Sequence, residues 1–212
     1  MYAAHKAAEG MTSIYRQIGT GCERLLRQIL CDQLRLSTET ASWSYTIPTS
    51  DGKTRKLTLD GRILLAEIKD KAIRQRVHKW MRSIADASGI VPSVFKSLVG
   101  TVFEVRQGYK SKDSKRQNAD IANATTAIKN AYLPCAVILS SQIDGDLLLR
   151  YRAKGWTVLT GIVGLNDPLR STYDFMSQVI EYDLAGFFQR NHKLFRAEID
   201  NVLQTLLAPE SP

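Results

Sequence analysis

A carboxylate and a run of basic side chains lie close together in residues 102–120, VFEVRQGYKSKDSKRQNAD. Alternate residues of a β-strand point to the same face, so we expect Glu104, Arg106 and Lys110 to project together, with Gly108 leaving a phosphate room to approach the backbone. Carboxylates bind Mg²⁺ through oxygen, and neighbouring cations can neutralise a phosphate. The pattern is therefore typical of metal-assisted phosphodiester chemistry. A Glu–Arg pair on a solvent-facing edge strand is the simpler alternative.

A metal site needs a second carboxylate, and Asp60 is the preferred candidate. It ends the second strand of a predicted hairpin, directly before Gly61, although an Asp-Gly pair is also common in tight turns. Two other arrangements stay open: an acid followed by Glu67 and Lys69 in DGRILLAEIKD, and a third ligand from Glu23 in the first predicted helix.

The basic segment after the strand continues into a predicted helix. Helix N-termini and clustered Lys and Arg bind phosphates, while amide and hydroxyl side chains can hydrogen-bond bases or sugars. A solvated charged surface is the alternative. We predict DNA contacts from seven residues here: Tyr109, Ser111, Lys112, Lys115, Arg116, Gln117 and Asn118.

The composition favours a basic, globular protein with a polyanionic partner. The 212 residues include 29 Lys and Arg against 21 Asp and Glu, for a net charge of +8, with 44% hydrophobic and 24% charged residues. The three cysteines are odd in number and predict free thiols of a reducing compartment. No apolar run long enough to span a membrane and no signal-peptide core occur, so we expect a cytoplasmic protein without a membrane partner. We expect no organic cofactor.

Hydrophobic spacing predicts the elements that position these side chains in the first half of the chain. A helix is expected from a cap at Ser13 to about residue 30, and its Gly19 and Gly21 predict an irregular start or a close approach of another backbone. Alternating residues on both sides of SDGK predict a hairpin of strands at about 42–48 and 55–60.

The second half alternates between helical and strand patterns. A helix is predicted from Lys71 to Ala87, and a short one begins at Pro92. Buried strands are predicted at TVFEV, CAVILSS and WTVLTGIVG, with helices at 114–130 and GDLLLRYRAKG between them. This order predicts an α/β fold with a parallel crossover, and residues 168–207 are predicted to be wholly helical.

Together these features resemble the PD-(D/E)XK nucleases, especially the type II restriction endonucleases. In several of them the strand reads Glu-x-Lys or Glu-Val-Gln and a Lys/Arg-Asp-x-x-Arg-Gln-like stretch follows. Glu104–Val105–Arg106 and KDSKRQNA at 112–119 correspond to these motifs. The resemblance covers residues 13–163 in element order and 102–120 in residue detail.

The resemblance implies a restriction-endonuclease-like core, a central mixed sheet flanked by helices, within one nuclease domain of residues 1–212. The catalytic core is 13–163, and 168–207 is a helical C-terminal extension for core packing or dimerisation. It implies a homodimer that cuts double-stranded DNA at specific sites with Mg²⁺, as part of a restriction-modification system. Asp60 and Glu104 would hold the metal, and Arg106 and Lys110 would stabilise the phosphate charge.

The sequence departs from the family pattern at two positions, and two other functions remain as alternatives. Arg106 occupies the family's usual lysine position and cannot act as a general base, so Lys110 is a possible replacement. Leu59, rather than proline, precedes Asp60. The rivals are a sequence-specific DNA-binding protein without catalysis and a structure-specific or repair nuclease of the same fold.

Overall fold

The computed structural model describes residues 2–48, 52–108 and 114–207. Its first element is a long amphipathic helix, α1 (Tyr2–Leu34), which buries Leu26, Leu30 and Leu34 along one side. The prediction that Ser13 caps this helix is wrong. Ser13 lies inside α1, because the alanine-rich segment before it has a high helix propensity and extends the helix towards the N-terminus.

A hairpin follows α1 and forms a sheet of its own. Strands β1 (Trp43–Pro48) and β2 (Thr54–Leu59) pair antiparallel, with Trp43 opposite Leu59, which confirms the predicted hairpin strands. Its connecting residues 49–51 lie outside the described part of the chain.

The second sheet is mixed and has four strands in the order β3-β4-β5-β6. Strand β3 (Gly61–Leu64) is antiparallel to β4 (Gly100–Arg106), and β4, β5 (Tyr132–Ile138) and β6 (Thr157–Leu159) run parallel. This confirms the α/β class and the parallel crossover. The last strand is shorter than predicted, since the chain turns after Leu159 and Thr160 only bridges to Ser171.

Helices connect the strands where their spacing predicted them. Helix α2 (Lys71–Ala87) has the predicted bounds and is capped by Asp70, and α3 (Pro92–Ser97) begins at the predicted proline. Helix α4 (Ser114–Lys129) connects β4 to β5, and α5 (Gly145–Ala153) connects β5 to β6.

The C-terminal region is not one continuous helix, contrary to the prediction for 168–207. A short α6 (Thr172–Phe175) continues as a π-helical turn (Met176–Ile180), and α7 (Leu184–Leu207) begins only after a break. Glu181 causes the break because it takes a left-handed conformation with φ of 61°.

The mixed sheet separates two hydrophobic cores, and alternate residues of β4 contribute to opposite cores. Phe103 and Val105 pack with α1 and α2, while Val102 packs with the hairpin, α4 and α5. Glu104 and Arg106 therefore share the face of Val102, towards α4, as the alternation of the strand predicted. Among the described residues, no helix combines the length and hydrophobicity needed to cross a lipid bilayer.

Candidate active site

Asp60 lies where the chain leaves the hairpin and joins the mixed sheet, and β4 holds it in place. The Asp60 amide donates to the Phe103 carbonyl at 2.9 Å, and Asp60 Oδ2 accepts from the Val105 amide at 2.7 Å. From the other side, Arg27 Nε donates to the Asp60 carbonyl at 3.1 Å. The Asp-Gly pair is therefore a link between two sheets, and it brings Asp60 beside the end of β4.

Glu104, Arg106 and Asp60 meet at this end of the strand. The guanidinium of Arg106 forms an ion pair with Glu104 Oε1, and its Nη1 lies 3.9 Å from Asp60 Oδ2. All three side chains are largely buried, at 8%, 11% and 15% exposure for Glu104, Arg106 and Asp60. The structure thus brings together three of the four predicted catalytic residues, and the fourth, Lys110, lies outside the described part of the chain.

A third carboxylate, which sequence reasoning missed, completes the cluster. Asp120 of α4 is 3% exposed, and its two oxygens accept from Arg106 Nη2 at 3.2 and 3.4 Å. Tyr151 of α5 donates its hydroxyl to Asp120 Oδ2 at 2.5 Å, and Trp156 Nε1 donates to the Asp120 carbonyl at 3.1 Å. We call Asp60, Glu104, Asp120 and Arg106 the acid cluster.

Helical spacing in the sequence could have predicted that Asp120 is buried and needs a partner. Asp120, Ala124 and Ala127 fall at i, i+4 and i+7, which is one helical face, and all three are buried. A charged residue on an otherwise apolar buried face requires a partner, since burying an unpaired charge is costly. Arg106 supplies that partner.

When all of its groups are ionised, the acid cluster carries more negative than positive charge. Three carboxylates face one guanidinium, and adding the neighbouring Glu23 and Arg27, which also affect Asp60, leaves the imbalance unchanged. Burial raises the pKa of Asp60 to about 6 against the lowering effect of the Val105 amide, and the charge of Glu23 adds to the rise. Burial also raises the pKa of Glu104 to about 8, with Arg106 opposing and Asp60 and Asp120 adding to it.

These pKa shifts predict how stability depends on pH. Between the ordinary carboxyl values and the raised ones, the folded protein binds more protons than the unfolded chain. The stability contributed by Asp60 and Glu104 is therefore fully present below the ordinary values and is lost as the pH rises through about 6 and then about 8. We expect Glu104→Gln, which cannot ionise, to gain unfolding free energy relative to the wild type as the pH rises.

Denaturant unfolding at a series of pH values in EDTA checks this difference. Glu67→Gln is the matched control, because Glu67 is exposed and its substitution should show no such trend. A difference between wild type and Glu104→Gln that stays constant with pH would contradict the assignment of the raised pKa.

An open cavity of about 310 Å³ adjoins the acid cluster, between α1 and the end of β4. Arg106, Gln107 and Gly108 line its strand side. Glu23, one of the alternative ligands, lines the helix side of the cavity, and its negative charge raises the pKa of Asp60. Gly108 has a packing role of its own, because a Cβ there would lie 2.8 Å from Ser140 Oγ.

The other predicted site residues lie elsewhere. Glu67 and Lys69 are exposed in and after a short 3-10 turn (Leu65–Glu67), whereas the preceding Ile63 and Leu64 belong to β3. The arrangement of Asp60 with Glu67 and Lys69 is therefore not formed in the described part of the chain. The reason is that β3 carries the chain away from Asp60 before Glu67 is reached.

Most of the predicted DNA contacts lie outside the described part of the chain. Tyr109, Ser111 and Lys112 belong to residues 109–113, as does Lys110, the predicted catalytic lysine. The side chains of three further candidates lie outside the described part as well, although α4 includes their backbone: Lys115, Arg116 and Gln117. Asn118 is exposed, and its Oδ1 accepts from Arg150 Nη2 of α5 at 3.1 Å, which adds an unpredicted basic residue to this surface.

The acid cluster offers carboxylate oxygens, which are the ligands that Mg²⁺ prefers. Within residues 2–48, 52–108 and 114–207, however, no three acidic, histidine or cysteine side chains are grouped so that they could hold a metal. Arg106 occupies the space between the carboxylates and contacts both Glu104 and Asp120. A cation binding to Asp60 and Glu104 would have to displace this guanidinium.

Comparisons of the chain with protein-family models, with curated proteins and with solved structures found no significant match.

Proposed function

We propose that the protein is a Mg²⁺-dependent endonuclease that cuts double-stranded DNA at specific sites, with a restriction-endonuclease-like core. The observation that carries this proposal is the meeting of the buried Asp60 and Glu104 with Arg106 near the end of β4, where carboxylates outnumber cations and Arg106 also lines an open cavity. The mixed sheet between two helical layers is the arrangement expected of such a core.

Buried carboxylates in excess support metal binding because each ionised carboxylate without a cation costs free energy. Asp60 and Glu104 would hold Mg²⁺, and Glu23, which lines the same cavity as Arg106 and raises the pKa of Asp60, is a further candidate ligand. Bound Mg²⁺ would supply Lewis-acid chemistry, which polarises the phosphodiester and makes water a better nucleophile at neutral pH.

Arg106 would stabilise the charge that develops on the phosphate. Its guanidinium cannot lose a proton, so it serves as a donor and a positive charge rather than as a base. In the hydrolysis a water oxygen bonds to phosphorus while the opposite phosphorus–oxygen bond breaks. The water loses one proton to solvent, and the departing sugar oxygen gains one.

Incubation of the purified protein with plasmid and phage DNA, in Mg²⁺ and in EDTA, tests the proposal. Discrete fragments that form in Mg²⁺ and not in EDTA support a site-specific endonuclease. Cutting restricted to branched or damaged DNA would instead support the repair nuclease. If no DNA is cut in Mg²⁺ or Mn²⁺, the proposal is wrong.

One observation favours the rival DNA-binding protein without catalysis. Arg106 already pairs with Glu104 and Asp120, and such a buried ionic network can be purely structural. This rival predicts sequence-specific DNA affinity that is the same in Ca²⁺ and in EDTA. A gel-shift titration in both conditions separates the two functions, since a metal-dependent nuclease should bind its site more tightly in Ca²⁺.

We also propose that the protein forms a homodimer. The exposed face of α7 carries apolar residues, including Leu194, Phe195 and Ile199, that could contribute to a dimer interface. The aromatic residues nearer its start, Phe187 and Phe188, are half-buried and pack against the core. Light scattering of the purified protein measures the oligomeric state directly.

A further inference from the structure

One face of α1 forms the wall of the cavity opposite the end of β4. Thr12, Arg16, Gly19, Thr20 and Glu23 line it, and their spacing of three or four residues places them along a single side of the helix. We call the first four of these residues the helix wall. Glu23 follows the helix wall on the side of the acid cluster. It is close enough to Asp60 for its negative charge to raise the pKa of that residue.

The chain's own packing does not account for glycine at position 19. Glycine inside a helix costs about 1 kcal/mol relative to alanine. Among the described residues, a Cβ at Gly19 would meet no atom within 4 Å, so the predicted close approach of another part of the backbone is not observed there. The missing side chain instead leaves the cavity side of the helix open to a ligand.

Charge and hydrogen-bonding groups along the helix wall suit a sugar-phosphate backbone. Arg16 is exposed and reaches the cavity, and Thr12 and Thr20 add hydroxyl groups on either side of it. Arg, Thr and Ser side chains supply many of the protein contacts to phosphate and sugar oxygens. The cavity side of α1 therefore changes from a cation at Arg16 in the helix wall to an acid at Glu23 beyond it.

We propose that the helix wall binds the backbone of the DNA strand that is cut, and this inference rests on the proposed function. A helix rises about 1.5 Å per residue, so Arg16 lies about 10 Å along the axis from Glu23. Arg16 is therefore placed to contact a different phosphate of the strand from the one at the acid cluster, and Gly19 lets the strand between them lie close to the helix.

The test compares Arg16→Ala with Arg24→Ala, which removes an exposed arginine of the same helix that does not line the cavity. Fluorescence anisotropy with a labelled duplex, in Ca²⁺ and at several salt concentrations, measures affinity. Removing one phosphate contact should weaken binding and reduce the slope of log affinity against log salt by about 1. Arg24→Ala should keep the wild-type slope.

A second pair of variants tests the role of the glycine. Gly19→Leu should block the cavity and weaken DNA binding, whereas Gly21→Leu should not, because Gly21 has the same open surroundings but lines a different groove, against α7. Both substitutions favour the helix, so thermal unfolding should show that neither variant is destabilised.

The outcomes separate the helix wall from the proposed function. Suppose that the wild type cuts DNA but Arg16→Ala and Gly19→Leu bind it as tightly as their controls do. The proposed role of the helix wall is then wrong, and the proposed function is supported. If both wall variants lose affinity but the wild type never cuts, the function is wrong and the wall binds DNA for another purpose. A wild type that binds no DNA overturns both.

Discussion

Glu104→Gln is expected to lower Mg²⁺-dependent DNA cleavage by about 10³-fold, since a metal ion supplies several kcal/mol of catalysis and about 4 kcal/mol corresponds to that factor. The amide keeps the shape of the buried side chain but loses the charge that binds the cation. Burial already raises the pKa of Glu104, so the neutral variant should fold at least as stably as the wild type near pH 8. Cleavage rates on one DNA substrate, with unfolding measured in parallel, check both statements.

Glu67→Gln is the matched control for this result. Glu67 is exposed in the 3-10 turn, and its variant should cut at the wild-type rate. If Glu104→Gln also cuts at the wild-type rate, Glu104 is not a metal ligand and the acid cluster is structural.

Arg106→Ala is expected to have the largest effect on stability. The substitution leaves Glu104 and Asp120 buried without their guanidinium partner, and breaking a buried pair costs about 3–5 kcal/mol. The loss should be smaller at acidic pH, where the raised pKa of Glu104 keeps its carboxyl group protonated. Denaturant unfolding at pH 5 and pH 8 measures both values.

An exposed ion pair supplies the comparison for Arg106. Arg190 pairs with Asp183 while both side chains are 65% exposed, so Arg190→Ala should cost far less stability than Arg106→Ala at either pH. Equal losses for the two variants would show that the acid cluster does not depend on Arg106.

Arg106→Lys separates the catalytic role from the structural one. Lysine keeps the positive charge but lacks the planar fork that contacts Glu104 and Asp120 together. We expect it to retain more stability and more cleavage than Arg106→Ala. An Arg106→Lys protein as unstable as Arg106→Ala would show that the guanidinium geometry, rather than the charge, holds the cluster.

The sequence by itself determined the elements whose signals are local. Helix α2 begins after Asp70 and buries Val77, Trp80 and Met81, and both its bounds and its face follow from helical spacing. The strand character of β4 and β5 follows from β-branched and apolar runs, and the alternation within β4 assigned Glu104 and Arg106 to one face. The predicted cap at Ser13 and the continuous C-terminal helix failed, because helix ends depend on competing caps and on single residues such as Glu181.

Only the tertiary structure decided which acids meet. Asp60, Glu67 and Glu23 were all candidates by type, and the register that places Gly61 opposite Phe103 selected Asp60 as the neighbour of Glu104. Asp120 and Tyr151 joined the site through the packing of α4 and α5 on the sheet, and α1 became a cavity wall through its position beside β4. Residues far apart in sequence come together through strand register and helix packing, which depend on the whole chain, whereas spacing within one segment reports only the face on which each side chain lies.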